Sequence, residues 1–215
     1  MYKKITDAKG LAQEFTPPSS ADLIRWVQNV LTKLDKKISP AAAQSLIRTA
    51  PNDMTTLIEE TKKLAAFAST ADEITASHID AIITPSLQAR VFDMVAAMAN
   101  GSTAEAITLY RKMLHLKEEP FMILGMVIRQ FRILLQCKSG QAAGMSRATL
   151  AETTGLRSFI VDEALSQCRR FTEEKLLQAL LDCQKTDMAI KSGTLGPSET
   201  AAELGVELLI IKHSA

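Results

Sequence analysis

The feature that most constrains the fold of this chain is an apolar stretch near its middle, Pro120-Phe-Met-Ile-Leu-Gly-Met-Val-Ile-Arg-Gln-Phe-Arg-Ile-Leu-Leu135. Arg129, Gln130 and Arg132 interrupt it. Such a stretch is predicted to be too short and too charged to cross a bilayer. A helix that is apolar on most of its circumference must instead be enclosed by other helices. The three polar side chains then need partners inside the protein, at a subunit contact or in a groove.

The composition favours long helices over strands. The chain has 215 residues but only 9 glycines and 7 prolines, so turn formers are few. No strand pattern of useful length is present, and we predict an all-α fold. The net charge is +1, and neither half of the chain is basic. The broad positive surface of a dedicated nucleic-acid-binding domain is therefore missing.

Start and stop signals divide the chain into three parts. Residues 1–20 are predicted to be an extended lead-in, because adjacent prolines in Thr16-Pro-Pro-Ser-Ser20 disfavour helix. Residues 21–85 are predicted to form a small three-helix bundle, and residues 86–215 a larger domain of five to six helices. The break falls at Thr84-Pro85-Ser86. The predicted helix boundaries include an N-cap at Ser20, a start at Ser39-Pro40, a stop at Pro51, a cap at Asn52 or Asp53, and a last start at Pro197.

No catalytic, cofactor or metal signature is found in the sequence. Phosphate-binding and nucleophile-elbow motifs are absent, so no catalytic residue and no cofactor is predicted. Neither the histidines nor the cysteines show metal-ligand spacing. The cysteines are odd in number and lie in helical patterns, which favours buried thiols in a reducing cytoplasm: Cys137, Cys168 and Cys183. The N-terminus lacks the apolar segment of a signal peptide.

Residues 147–165 fit a helix-turn-helix. Ala151 is small enough for close helix approach, Gly155 suits the turn, and Val161 can lock the second helix. This motif leaves open a helical DNA-binding regulator as the alternative function. However, Asp162 and Glu163 lie near the face that would contact DNA and oppose phosphate. Packing of a tight helical corner is the other interpretation.

Two sets of charged residues are candidates for contacts with other subunits. Arg129 and Arg132 are three residues apart and so lie on one side of a helix. They either extend past apolar neighbours into solvent or meet acceptors across a subunit contact, where arginine is enriched. Asp187 and Lys191 have i, i+4 spacing and are either a modest surface pair or part of such a contact.

Five short motifs occur in a fixed order along the chain: Ile58-Glu59-Glu60-Thr61-Lys62-Lys63-Leu64, Ile74-Thr75, Val91-Phe92-Asp93, Arg129-Gln130-Phe131-Arg132 and Asp187-x-x-Ile190-Lys191-x-Gly193. In their order and spacing, these motifs resemble the delta subunit of the bacterial clamp loader of DNA polymerase III. The resemblance extends from about residue 10 to the end of the chain.

The resemblance implies both an architecture and a role. Residues 21–85 correspond to the lid-like domain of an AAA+ module, and residues 86–215 to the helical collar. The family implies a non-ATPase subunit that helps to open and load the sliding clamp in DNA replication. By the same resemblance, this subunit is expected to be part of a DNA-directed DNA polymerase (nucleotidyltransferase) holoenzyme. The chain is expected to be a C-terminal fragment, because an AAA+ core domain precedes this region in the family.

The resemblance also implies partners. The collar is expected to bind other clamp-loader subunits, namely the ATPase subunits and delta-prime. The sliding clamp is expected to be bound only through the N-terminal domain that this sequence lacks. DNA is expected to be reached through the assembled complex, with no membrane involved. The expected subunit-interface residues are Arg129, Gln130 and Arg132, with Asp187 and Lys191 as a second set.

Overall fold

The computed structural model describes residues 18–50, 53–196 and 199–214. Within these residues the chain is all-α, as predicted, apart from two strands of two residues each. The elements in the first part are α1 (Ser20–Thr32), β1 (Lys37–Ile38), α2 (Pro40–Thr49), α3 (Met54–Phe67), β2 (Glu73–Ile74) and α4 (Ala76–Ile82). Those in the second part are α5 (Leu87–Ala99), α6 (Thr103–His115), α7 (Pro120–Ala142), α8 (Arg147–Thr154), α9 (Ser158–Cys168), α10 (Glu173–Lys191) and α11 (Glu199–His213).

Helices α1 to α4 enclose one hydrophobic core, which we call the N bundle. Four helices form it rather than the predicted three. Their starts follow the sequence signals closely. Ser39 caps α2 with Pro40 at its first position, and Asp53 accepts a hydrogen bond from the Thr56 amide at 2.7 Å. The first helix is capped by Ser19 rather than by the predicted Ser20. The predictions for residues 1–17, Pro51, Asn52 and Pro197 lie outside the described residues.

A short parallel ribbon joins two loops of the N bundle. Lys37 pairs with Glu73, and Ile38 pairs with Ile74. These strands are not predictable from the residue pattern, because two residues are too few for an alternating pattern. Both isoleucines are buried, and the Lys36 ammonium group donates to two carbonyl groups of the second loop at 2.7 and 2.8 Å. The ribbon thus closes the core at one end.

Helices α5 to α11 form a second and larger core, which we call the C bundle. It has seven helices rather than five to six. Helix α7 runs through its middle and packs against α5, α9, α10 and α11. The core-facing side chains of α7 are fully or almost fully buried: Ile123, Leu124, Val127, Phe131, Ile133, Leu134 and Cys137. All three cysteines are buried and free, as predicted.

The central helix is longer than its apolar stretch. It continues through Ala142 and has 23 residues. Among the described residues, α7 alone is long and apolar enough to cross a membrane by length and composition, so the predicted limit on length is wrong. Half of its most apolar window is nevertheless buried inside the bundle, as in a core helix. The predicted enclosure by other helices is therefore observed.

The two bundles meet at the start of α9. Phe159 belongs to the C-terminal part of the chain by sequence but is buried in the hydrophobic core of the N bundle. Close by, the Ser86 amide donates to the Thr49 carbonyl at 2.8 Å. Arg48 of α2 contacts Asp93 of α5 at 3.3 Å. The junction therefore combines an apolar anchor with polar contacts.

Candidate interaction surface

Gln130 lies inside the C bundle. Its side chain is 6% exposed, and its Nε2 donates to Oε1 of Gln167 at 3.0 Å. Gln167 in turn donates to the Phe92 carbonyl at 3.1 Å. These hydrogen bonds connect α7, α9 and α5, and they satisfy a polar group that would be costly to bury alone.

Arg129 and Arg132 lie on the opposite, outward side of α7. Arg132 is exposed and Arg129 is half-buried. No carboxylate in residues 18–50, 53–196 and 199–214 forms an ion pair with either guanidinium group. The structure thus separates the predicted trio into one internal amide and two arginines without an ionic partner in this part of the chain.

The predicted pair of Asp187 and Lys191 is present near the end of α10. The Lys191 ammonium group lies 2.8 Å from Asp187 Oδ2. It also lies 4.9 Å from the centroid of the Phe121 ring, which is a cation–π distance. Phe121 lies in the first turn of α7, so this contact holds the end of one helix against the start of another.

Two helices of the C bundle are apolar on two opposite faces. On α10, Leu176, Ala179 and Cys183 face the core. On α11, the core-facing residues include Val206, Leu209 and Ile210. The outward face of each helix carries large apolar side chains that are 46–61% exposed: Leu177, Leu181 and Met188 on α10, and Leu204, Leu208 and Ile211 on α11. Leucine doublets such as Leu176-Leu177 signal two apolar faces, but they do not say which of the faces is covered.

A groove lies between α10 and α11. Its apolar lining includes Ala189, Leu195, Leu208 and Leu209. Gly205 allows the close fit, because a Cβ atom at this position would lie 2.8 Å from Leu195 Cδ1. The absence of a side chain at Gly205 therefore lets Leu195 lie directly against α11.

A buried carboxylate holds the positively charged side chains of this groove in place. Asp182 is 6% exposed and lies 2.8 Å from Lys212 and 3.4 Å from Lys185. Gln178 and His213 also contact it, at 3.1 and 3.2 Å. Hydrogen bonding from Lys212 is the main cause that holds the pKa of Asp182 well below its ordinary value. Burial lowers the pKa of His213 despite the nearby carboxylate.

The segment predicted as a helix-turn-helix has that shape. Helix α8 ends at Thr154, Gly155 follows it with φ +65°, and α9 comes next. In a helix-turn-helix protein the start of the second helix enters a DNA groove, but here the start of α9 packs against the N bundle. Phe159 is buried in the N bundle, and Glu163 lies 3.9 Å from Arg48. Burial raises the pKa of Glu163, and that of Asp93 beside it, although Arg48 opposes both shifts. These contacts favour the packing interpretation over DNA readout.

Within the described residues, no group of three or more His, Cys, Asp or Glu side chains is placed to hold a metal ion. Burial raises the pKa of the Cys137 thiol to about 11 and that of Cys183 to about 12. Burial thus disfavours the thiolate, which is the nucleophilic form of cysteine.

The fold defines an all-α protein that is built of two helical bundles, the second of which presents apolar faces to solvent. A family model described as "DNA polymerase III delta subunit, C-terminal domain" matches residues 88–213, more than half of the chain. The chain therefore belongs to the DNA polymerase III delta subunit family, which confirms the predicted resemblance.

One curated relative supports this assignment, and one solved structure supports the fold. The DNA polymerase III subunit delta of Bacillus subtilis (strain 168) is 26% identical over 182 residues, which cover 85% of this chain and 52% of that protein. The solved structure of the Bacillus subtilis DNA clamp loader delta protein has a TM-score of 0.78 at 23% identity. The match covers 98% of this chain and 61% of that one, and it supports the fold. This chain thus spans about half the length of its curated relative.

Proposed function

We propose that this chain is the C-terminal part of a clamp-loader delta subunit, which helps to load the sliding clamp in DNA replication without ATPase activity of its own. Residues 21–85 would be the lid-like domain and residues 86–215 the collar. The observation that carries this proposal is the family match over residues 88–213, which coincides with the C bundle. The name of the curated relative supports membership in a polymerase III assembly. The proposed location is the cytoplasm.

The collar is proposed to serve assembly with the other subunits of the loader, the ATPase subunits and delta-prime. The exposed apolar faces of α10 and α11 support this role, because contiguous exposed apolar surface marks interaction sites. Arginine is enriched at interfaces because its planar guanidinium group can donate hydrogen bonds to several partners. Arg129 and Arg132 are therefore the proposed polar anchors of the collar.

The remaining predicted interface residues have supporting roles in this proposal. Gln130 fixes α7 from inside, through its hydrogen bond to Gln167. The pair of Asp187 and Lys191 orders the end of α10 against Phe121. An exposed ion pair contributes little energy by itself, so this second set is expected to affect assembly less than the two arginines.

The test is co-purification of the full-length protein with its loader subunits. Reversal of both charges in Arg129→Glu/Arg132→Glu is expected to weaken subunit recovery at least tenfold. The matched control is Arg25→Glu/Lys33→Glu on the exposed side of the N bundle, which is expected to leave recovery unchanged. Normal assembly of the first variant would show that the two arginines are not anchors. Failure of the unaltered protein to recover any subunit would contradict the proposed function itself.

A further inference from the structure

A polar cavity of about 550 Å³ lies where α7, α8 and α9 meet. The end of α7 contributes Gln141, α8 contributes Arg147 and Leu150, and α9 contributes Ser166, with Arg169 at its C-terminal cap. The volume is typical of small-molecule sites, which measure roughly 300–1,000 Å³. None of the described lining residues belongs to α10 or α11, so the cavity is separate from the outward apolar faces of those helices.

Close packing of α8 on α7 forms an apolar wall of this cavity. Gly140 lies in the last turn of α7, and a Cβ atom there would be 2.4 Å from Leu150 Cδ2. The lack of a side chain therefore lets Leu150 lie directly against α7. Met145, in the loop between the two helices, and Leu165 of α9 also line the cavity. Met145 is 43% exposed, so part of this wall is open to a ligand.

Three polar side chains of the cavity have no hydrogen-bond partner within the described part of the chain. They are the guanidinium group of Arg169, the hydroxyl of Ser166 and the amide of Gln141. All three are exposed. A ligand can therefore reach these donors without breaking a bond within the protein.

The described lining of the cavity has a net positive charge. Its one carboxylate is that of Asp162, which lies 2.9 Å from the Arg147 guanidinium group. These two charges offset each other, so the charge of Arg169 remains in excess. Arg147 also keeps N–H groups that Asp162 does not use, because a guanidinium group has five of them.

We propose that this cavity binds the phosphate group of a nucleotide. Arg169 would pair with the phosphate, and Ser166 and Gln141 would donate to its remaining oxygens. Arginine suits this role because its planar fork matches the oxygens of a phosphate. The base would pack against Met145 and Leu165. This inference is independent of the proposed function, because it is drawn from the cavity alone.

The lining argues against other classes of ligand. A metal ion would need several oxygen ligands of negative or partial negative charge, and the one carboxylate here is already paired with Arg147. A purely apolar ligand would cover the three polar side chains and leave them without partners, which is costly. A carboxylate has only two oxygens for the donors of three side chains, whereas a phosphate has more.

Isothermal titration calorimetry of the full-length protein tests the ligand. The probes are thymidine monophosphate, thymidine, inorganic phosphate and a short oligothymidylate. Thymidine monophosphate is expected to bind roughly tenfold more tightly than thymidine, because its phosphate supplies charged hydrogen bonds. It is also expected to bind more tightly than inorganic phosphate, because the base contacts the apolar wall.

The same titrations contain the outcomes that would overturn the proposal. These are equal affinity for thymidine and its monophosphate, equal affinity for inorganic phosphate and the nucleotide, or binding of neither the monophosphate nor the oligothymidylate. The two nucleotide probes also identify the source of the ligand. Tighter binding of the monophosphate indicates a free nucleotide, and tighter binding of the oligothymidylate indicates a nucleotide within a strand. Either result supports a nucleotide site.

Three variants test whether binding occurs in this cavity. Arg169→Ala is expected to weaken nucleotide binding roughly tenfold. Arg170→Ala is the matched control and is expected to leave binding unchanged, because Arg170 is also exposed and comes next in the chain but does not line the cavity. Asp162→Asn is expected to tighten binding, because it removes a repelling carboxylate and releases Arg147. Circular dichroism checks that each variant is folded. Equal effects at positions 169 and 170, or weaker binding by Asp162→Asn, would overturn the proposal.

Discussion

The two bundles differ in how well they cover their own apolar residues. Among the described residues, the N bundle exposes three large hydrophobic side chains, Leu34, Met54 and Phe67. The C bundle has about twice as many residues yet exposes eleven. Six of these belong to the outward faces of α10 and α11. Size alone does not account for the difference, so the C bundle leaves apolar surface uncovered whereas the N bundle is largely self-contained.

The difference teaches that a helix can be apolar on more sides than its own bundle covers. Helices α1 to α4 each have one apolar side, and the small core uses all of them. Helices α10 and α11 each have two apolar sides, and only one of the two packs against the core of the C bundle. Variants of each region are therefore expected to differ in whether they lower stability or binding.

The largest loss of stability is expected from Phe131→Ala. Phe131 is fully buried in the C bundle and makes edge-to-face contacts with Phe171 and His213, at centroid distances of 6.1 and 6.4 Å. Removal of a buried phenylalanine costs about 3–5 kcal/mol, because a cavity remains. Chemical denaturation monitored by circular dichroism measures this loss. A change below about 1 kcal/mol would contradict the central position of α7.

A slightly smaller loss is expected from Phe159→Ala, at about 3 kcal/mol. Its ring is 7% exposed and lies in the core of the N bundle, although it belongs to α9. Because the ring joins the two bundles, its removal is also expected to separate their unfolding transitions. Hydrogen exchange on each bundle would detect this effect. Coincident transitions in the variant would show that the junction does not depend on this ring.

Asp182→Asn is expected to cost roughly 1.5–3 kcal/mol at neutral pH, because it removes charged hydrogen bonds. The pKa of Asp182 is lower in the folded chain, so its stabilisation is present above about pH 4 and is lost as the pH falls further. The variant and the unaltered protein are therefore expected to converge in stability below pH 4. Urea midpoints across this pH range measure the convergence, and a constant difference would exclude this origin.

The same pH series reports on His213, whose pKa is lowered by burial. Its neutral form is favoured in the folded state, so stability is expected to fall as the pH drops below about 6.5. Loss of the Asp182 carboxylate removes the negative charge that stabilises the protonated ring of His213. We expect Asp182→Asn to be more sensitive to pH between about 6.5 and 5 than the unaltered protein.

Gln130→Leu is expected to cost about 1–3 kcal/mol, because it leaves the buried Gln167 Oε1 without its donor. The double variant Gln130→Leu/Gln167→Leu removes both amides together and is expected to recover part of this loss. A double-mutant cycle from denaturation curves measures the coupling. Additive effects would show that the two amides do not act as a pair.

The smallest effect on stability is expected from Leu177→Ser and Leu181→Ser on the outward face of α10. Both side chains are about half exposed, so each change is expected to stay within about 0.5 kcal/mol. Leu176→Ser on the same helix is the matched buried control and is expected to be strongly destabilising. Equal losses at positions 176 and 177 would remove the distinction between the two faces.

Local signals in the sequence predicted much of the fold. Ser39, Ser146 and Thr172 cap helices as expected, because a side-chain oxygen beside free amides acts within a few residues. Gly155 adopts the left-handed conformation of the predicted turn. The all-α class and the enclosed central helix followed from composition and periodicity. The short ribbon was missed because it depends on pairing between distant loops.

The surface was less predictable, because it depends on tertiary contacts. The sequence singled out Gln130 together with Arg129 and Arg132, but nothing local shows that Gln130 turns inward to meet Gln167, 37 residues away. Asp182 was not singled out at all, since its partners Lys212 and His213 come from another helix. A useful signal was nevertheless present in the leucine doublets, which place apolar residues on two faces.

The location of the cysteines has a practical consequence. All three thiols are fully buried in the C bundle, and the N bundle has none. Alkylating reagents attack the thiolate, which is scarce while burial keeps these groups protonated. Modification must therefore wait for the C bundle to open. The rate of cysteine alkylation therefore reports how often the C bundle opens. Opening of the N bundle, which has no cysteine, does not affect this rate.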